Sequence, residues 1–174
     1  MTSTGKIELM APAGNFESLQ AALDNGADSI YFGVEQLNMR ARASINFTLN
    51  DLPEIAKRCE AKRVRTYLTL NTIIYDHDLS IVKTLLDKAK SANLTAVIAM
   101  DQAVIAYARQ IGMEVHISTQ INITNIETVK FYALFADTMV LSRELSLRQG
   151  KKICDQIEKE KIKGPSGNLV EIEI

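Results

Sequence analysis

The sequence contains few of the residues on which many metal and redox sites depend. Its 174 residues include two cysteines, two histidines and no tryptophan. Cys59 and Cys154 have no second cysteine at metal-ligand spacing, so we expect neither a disulfide framework nor a cysteine-based zinc site. Two histidines are too few for a histidine-rich metal centre within these residues. Two unpaired thiols are typical of a reducing compartment, and we therefore expect a cytoplasmic location.

Long apolar runs and an excess of one charge are also absent. No segment approaches the roughly 18 apolar residues of a membrane span, and residues 1–6 lack the apolar core of a signal peptide. The formal net charge is −1, so no global electrostatic field draws the chain to nucleic acid or to an anionic membrane. These absences favour a globular protein without a membrane partner, and its 47% of hydrophobic residues suffice for a core.

Common nucleotide-binding and hydrolase motifs are missing, and a regular alternation of elements stands in their place. There is no GxGxxG after the first β-like run, and no GxxxxGK[ST], HExxH or GxSxG. The predicted strands cover residues 7–10, 29–32, 65–70, 96–100, 114–118, 138–141 and 169–174. The predicted helices cover residues 16–25, 52–62, 76 or 78 to 93, 101–112, 125–135 and 146–161.

This alternation predicts an α/β fold in which helices cover a parallel sheet. A complete (β/α) barrel takes roughly 250 residues. We therefore expect an incomplete TIM-like (β/α) barrel of about seven strands, with residues 1–174 forming a single domain. An open doubly wound sheet is the alternative.

Polar side chains follow several predicted strands directly. In a (β/α) barrel the active site is built at the C-terminal ends of the strands. The sequence thus predicts a common mouth, with polar residues contributed by successive strands: Asn71, Asp101, Gln120, Arg143 and Glu144. Asn71, Asp101 and Arg143 are predicted to bind substrate there.

Strand parity predicts which side chains point into the barrel. The apolar parity should face the helices, so the polar parity should face the axis. That set consists of Glu8, Tyr67, Asn71, His116, Gln120, Glu144, Glu171 and Glu173. Buried polar groups need partners, so the set indicates either a site or an internal network. His116 could also be a satisfied core histidine, Glu8 could stabilise the bottom of the barrel, and the last two glutamates could form structural ion pairs.

Two arginines, Arg40 and Arg42, lie in the long loop after the second predicted strand. Their forked guanidinium groups match carboxylates and phosphates, which predicts an anionic group on the substrate. Salt bridges between this loop and nearby carboxylates are the alternative.

Several stretches taken together resemble peptidase family U32, the collagenase-like family of unknown catalytic type. They are residues 8–15 (ELMAPAGN), 26–33 (GADSIYFG), 39–42 (MRAR), 46–47 (NF), 116–120 (HISTQ) and 141–147 (LSRELSL). The resemblance spans residues 7–174 in matching order. It implies a TIM-barrel-like N-terminal domain, followed by a segment whose cysteines bind an iron–sulfur cluster in several members. We expect this chain to stop before that segment, so any cluster would belong to the full-length protein.

The resemblance implies two activities, and both remain open at this point. The first hypothesis is a peptidase acting on a peptide, with His116, Gln120 and Glu144 as candidate catalytic residues. The alternative is a prephenate-dependent, iron–sulfur-dependent hydroxylase of tRNA or rRNA bases, in which the arginines would bind a small dicarboxylate. A third, non-enzymatic hypothesis is a scaffold for a partner protein. We also expect that exposed edges of an incomplete barrel could form a dimer.

Overall fold

In a computed structural model of the chain, residues 7–34 and 47–174 are described. This part contains seven strands: β1 (Met10–Pro12), β2 (Ser29–Phe32), β3 (Arg65–Leu70), β4 (Ala96–Ala99), β5 (Glu114–Ile117), β6 (Thr138–Val140) and β7 (Glu171–Glu173). All neighbouring pairs are parallel, and the order in the sheet is the order in the chain. The prediction of an incomplete TIM-like barrel is confirmed: the strands form a curled half-barrel. The doubly wound alternative is wrong, because its strand order would reverse within the sheet.

The helices of the described part alternate with these strands. They are α1 (Phe16–Asp24), α2 (Leu52–Lys62), α3 (Leu79–Ser91), α4 (Gln102–Gln110), α5 (Ile126–Tyr132) and α6 (Leu147–Glu160). Polar residues begin several of them, because a side-chain oxygen satisfies an amide that has no partner inside the helix. Asn15 and Ser18 cap α1 reciprocally, and Ser146 and Gln149 do the same at α6. None of the described helices is long and apolar enough to cross a membrane.

The first strand begins later than predicted. Residues 7–9 precede β1, whose ladder starts where Met10 pairs with Ser29. The amide of Leu9 instead donates to the carboxylate of Asp28, 3.0 Å away. A side chain therefore takes the place of a backbone partner, and this shifts the strand toward the Ala-Pro sequence.

The outer face of the sheet and the helices share the main hydrophobic core. On β3 and β5, Leu68, Leu70, Val115 and Ile117 are buried in that core. The inner face carries the opposite parity, as predicted, with Tyr67 and His116 pointing into the half-barrel.

The inner face is less polar than predicted. Tyr67, Ala96 and Ile98 form a second apolar cluster there, against which Met10 and Tyr31 pack. The expectation of a lumen lined by polar groups is corrected, because β4 contributes only apolar side chains to both faces. The inner face thus combines this apolar cluster with neighbouring polar side chains such as Thr69 and His116.

Candidate active site

A cavity of about 970 Å³ opens at the C-terminal ends of the strands. Its walls come from the inner face of the sheet and from the segments that follow β1, β2, β5 and β6. The polar side chains along it are Thr69, Asn71, Ser118, Thr119, Gln120, Ser142, Arg143, Ser146, Lys151 and Glu173. The predicted convergence at one mouth is therefore confirmed for Asn71, Gln120 and Arg143.

The parallel register explains why these residues meet. Ile98 lies beside His116, His116 beside Thr138, and Val140 beside Glu173. If this register is extended by two residues toward the C-terminal ends of the strands, Ser118 lies level with Val140 and Glu173. Inward side chains of a (β/α) barrel stack in such layers. Ser118 and Glu173 therefore share the uppermost layer, which borders the cavity.

Turns at the strand ends fix the local geometry. The Ser118 hydroxyl accepts the amide of Gln120 at 3.3 Å and caps a short 3₁₀ turn over Thr119–Ile121. After β6, the amide of Leu145 donates to the Ser142 carbonyl at 3.2 Å. Arg143 and Glu144 are the two central residues of that turn, so their side chains diverge.

Glu144 does not reach the cavity. Its carboxylate accepts a hydrogen bond from the Ser142 hydroxyl while the residue remains exposed to solvent. That hydrogen bond, with a smaller contribution from the charge of Arg143, lowers the pKa of Glu144. The prediction that Glu144 lies inside the mouth is wrong, because the turn directs it outward. A lowered pKa also makes this carboxylate a weak general base.

His116 points inward as predicted, but it does not border the cavity. It is 4% exposed, and its Nε2 lies 3.0 Å from Glu114 Oε1. Its ring centroid is 4.5 Å from that of Tyr67. The strand parity is correct, but the cavity wall at this level is formed by the neighbouring Thr69 and Ile98 and not by His116. Direct contact between His116 and a substrate in the cavity is therefore not supported, and its catalytic role stays a prediction.

Asp101 occupies a structural position. One carboxylate oxygen accepts the amide of Ala103 at 2.8 Å and caps α4, and the other accepts the amide of Ile74 at 3.2 Å. Asp101 does not border the cavity. The placement gives no support to substrate binding by this residue, because both oxygens already hold backbone groups. Arg40 and Arg42 lie outside the described residues.

Two parts of the cavity wall were not among the predicted site residues. Strand parity placed Glu173 among the inward-facing side chains, with a structural ion pair as the alternative to a site, and Glu173 borders the cavity on β7. Burial raises the pKa of Glu173, and the charge of His116 lowers it by a smaller amount. Lys151 and Cys154 also line the cavity from α6. Helical spacing of three residues puts both on one face of α6, and this was the signal that could have revealed them.

The iron–sulfur cluster that the family resemblance implies was expected to take its cysteine ligands from outside this chain. Cys59 is buried in α2, and Cys154 lies on α6. Within residues 7–34 and 47–174, no group of three or more potential metal ligands comes together. A cluster of the usual four-cysteine type cannot be held by the two cysteines of this chain.

The chain matches Peptidase family U32 over residues 14–164. It belongs to this family. The match covers most of the barrel, from the turn after β1 to the end of α6, and it confirms the family resemblance drawn from the motifs.

The relatives that are similar to this chain carry two kinds of names. The chain is 51% identical over 167 residues to a protein of Porphyromonas gingivalis named "Collagenase", covering 96% of the chain and 40% of that protein. It is 30% identical over 158 residues to "tRNA hydroxylation protein P1" of Bacillus subtilis, covering 89% of the chain and 37% of that protein. The chain thus spans about two fifths of the length of these U32 relatives.

A solved structure of the family supports the fold. It is described as the U32 peptidase Mk0906, and it superposes with a TM-score of 0.70 over 90% of this chain and 68% of its own. The sequence identity is 13%, so this similarity concerns the architecture alone.

Proposed function

We propose that this chain is the substrate-binding barrel portion of a collagenase-like peptidase of family U32. One observation carries the proposal: Asn71, Gln120 and Arg143 come from three separate strand ends and border one cavity. Amide side chains can donate to and accept from a peptide backbone, and a guanidinium group can hold a carboxylate. The relative named "Collagenase" supports a peptide as the ligand.

Arg143 is the cation best placed to hold an anionic group of that peptide. It is exposed, borders the cavity, and makes no ion pair within the described part of the chain. Lys151 also borders the cavity, but its ammonium group already pairs with Asp155 at 2.7 Å. The first carboxylate to enter therefore meets Arg143 without displacing an ion-pair partner among residues 7–34 and 47–174.

The full-length protein tests this proposal in a gelatin or fluorogenic peptide assay. Arg143→Ala is expected to raise KM about tenfold, because a hydrogen bond to a charged group contributes about 1.5–3 kcal/mol. Arg148→Ala is the matched control: Arg148 is exposed on α6 and does not border the cavity. Absence of any cleavage by the full-length protein would contradict the proposal.

The alternative function is hydroxylation of a tRNA or rRNA base that depends on prephenate and an iron–sulfur cluster. The relative named for tRNA hydroxylation favours it, and so does the chemistry of the serines. The Ser118 hydroxyl is occupied by a backbone amide, and the Ser142 hydroxyl faces Glu144, whose pKa is lowered. In this second function Arg143 would hold a carboxylate of prephenate.

Mass spectrometry of nucleosides distinguishes the two functions. Cells lacking the full-length protein are expected to lose a hydroxylated base. The wild-type gene and the Arg148→Ala variant should restore this base, whereas the Arg143→Ala variant should restore it poorly. Unchanged nucleosides in the deletion strain would contradict the alternative and leave the peptidase proposal standing.

A further inference from the structure

Glu173 occupies a fixed place at the cavity wall. It is half-buried on β7, level with Val140, and its backbone carbonyl accepts the amide of Leu141 at 3.0 Å. The strand thus fixes the backbone from which the carboxyl group projects into the upper layer, where Ser118 also lies. Groups built on a strand are held more accurately than groups on a loop.

Below Glu173 lies a histidine whose hydrogen bonding is incomplete. His116 is 4% exposed and uses Nε2 toward Glu114, whereas its Nδ1 has no partner among the described residues. A buried polar atom without a partner is unfavourable, and a functional role is one of the explanations for such an atom in a folded protein. The Tyr67 ring packs against one side of His116 and fixes the imidazole.

The groups around Glu173 are electrostatically coupled. Burial raises the pKa of Glu173 and the charge of His116 lowers it, whereas the charge of Glu173 in turn raises the pKa of Tyr67. The titratable groups that face this region from the packed elements are Tyr31 on β2, Tyr67 on β3, Glu114 and His116 on β5, Arg143 after β6, Lys151 and Cys154 on α6, and Glu171 on β7. Among them, His116 is the one group whose charge acts on Glu173 appreciably.

We propose that Glu173, which projects from β7 into the cavity, is a substrate-binding residue whose carboxyl group, when it carries its proton, donates a hydrogen bond to an acceptor on the cavity ligand. The acceptor is a peptide carbonyl oxygen, and this part of the inference rests on the proposed peptidase function. A neutral carboxyl group carries an O–H that can donate a hydrogen bond, whereas an ionised carboxylate can only accept, so this contact forms only when Glu173 is protonated. Removal of the His116 charge extends the donor form to higher pH.

The titration of Glu173 tests the first half of the proposal without any substrate. In full-length protein with ¹³C-labelled glutamate carboxyl groups, Glu173→Gln identifies the resonance by its disappearance. Its midpoint is expected above those of the exposed glutamates, and His116→Gln is expected to raise it further. His77→Gln serves as the control, since His77 is exposed on the surface. A Glu173 midpoint among those of the exposed glutamates would overturn the proposal.

Binding of a peptide tests the second half. The probe is a fluorescein-labelled peptide of Gly-Pro-Ala triplets, followed by polarisation as a function of pH. The wild-type affinity is expected to fall as Glu173 loses its proton, and Glu173→Gln is expected to bind equally at all pH values because an amide always donates. Glu173→Ala should bind about tenfold more weakly at low pH, the loss expected for one hydrogen bond.

The two proposals fail in different ways. If the wild-type protein binds the peptide but Glu173→Ala binds it equally well, or Glu173→Gln keeps the wild-type pH dependence, the role of Glu173 is overturned. If neither wild type nor any variant binds the peptide, the peptide ligand and the peptidase function are overturned. The carboxyl titration still decides the protonation of Glu173 in that case.

Discussion

Tyr67 donates a hydrogen bond from its hydroxyl to Glu8 Oε1 across 2.7 Å, joining the interior of β3 to the segment before β1. Glu8 also forms an ion pair with Arg65 at the start of β3. A single carboxylate thus ties the first strand to the third at the N-terminal end of the half-barrel. That end of a (β/α) barrel is where stability is usually built, away from the active site.

Tyr67→Phe should lower the free energy of unfolding by about 1 kcal/mol, the usual net contribution of one hydrogen bond. Urea denaturation at pH 7 measures it. Burial is the largest cause that raises the pKa of Tyr67 from 10.0 to about 12. Because the pKa of Tyr67 is higher in the folded than in the unfolded state, its contribution to the free energy of unfolding is fully present below pH 10. That contribution is lost as the pH rises from 10 through 12. The free energy of unfolding of the wild type should therefore decline between pH 10 and pH 12. The Tyr67→Phe variant should lack this decline.

A matched tyrosine controls for the removal of a hydroxyl. Tyr132 is half-buried, and its hydroxyl donates no hydrogen bond to any residue described in the structure. Tyr132→Phe should change stability by no more than about 0.5 kcal/mol. Equal losses in both variants would contradict the importance of the contact with Glu8.

Asp101→Ala should destabilise the protein by about 1–2 kcal/mol, because it removes the cap of α4. Asp101→Asn should lose less, since asparagine caps a helix almost as well. Thermal denaturation of the two variants measures the difference. An Asp101→Ala variant of unchanged stability and raised KM would show that Asp101 binds substrate, as the sequence suggested.

Two glycines should respond to alanine in opposite directions. A Cβ on Gly164 would lie 2.8 Å from Asp137 Cα and closer still to its carboxylate, so Gly164→Ala should be destabilising by more than about 1 kcal/mol. Gly150 lies within α6, and a Cβ added there would meet only Leu141 Cδ1, at 3.6 Å. Gly150→Ala should stabilise by about 0.5–1 kcal/mol, because alanine favours the helix. Chemical denaturation of both variants decides, and the same sign of change in both would contradict this packing.

The fold could be predicted from the sequence because the two-residue alternation of the strands and the amphipathic spacing of the helices hold throughout. Apolar and polar side chains alternate on β3 and β5, and the structure buries them on opposite faces as the alternation requires. Amphipathic spacing and capping residues such as Asn15 and Ser146 marked the helices. Both signals are local, so they survive in a single sequence.

The cavity was only partly predictable, because its composition depends on turns and depth. Parity brought Asn71 and Gln120 to the correct end of the barrel, but parity does not say which inward side chains border the cavity, as His116 shows. The turn that separates Arg143 from Glu144 depends on a backbone hydrogen bond that the sequence does not display. Asp101 looked like a mouth residue for the same reason that it caps α4: strand ends and helix starts coincide there.

The unequal surroundings of the two thiols give the cavity an intrinsic probe. Burial raises the pKa of both thiols, that of Cys59 to about 11, but Cys59 is buried in the helical layer, whereas Cys154 is partly accessible and borders the cavity. An alkylating dye therefore reacts with Cys154 in preference to Cys59, since thiol reactivity needs both access and ionisation. The attached fluorophore then reports directly on occupancy of the space between β7 and α6.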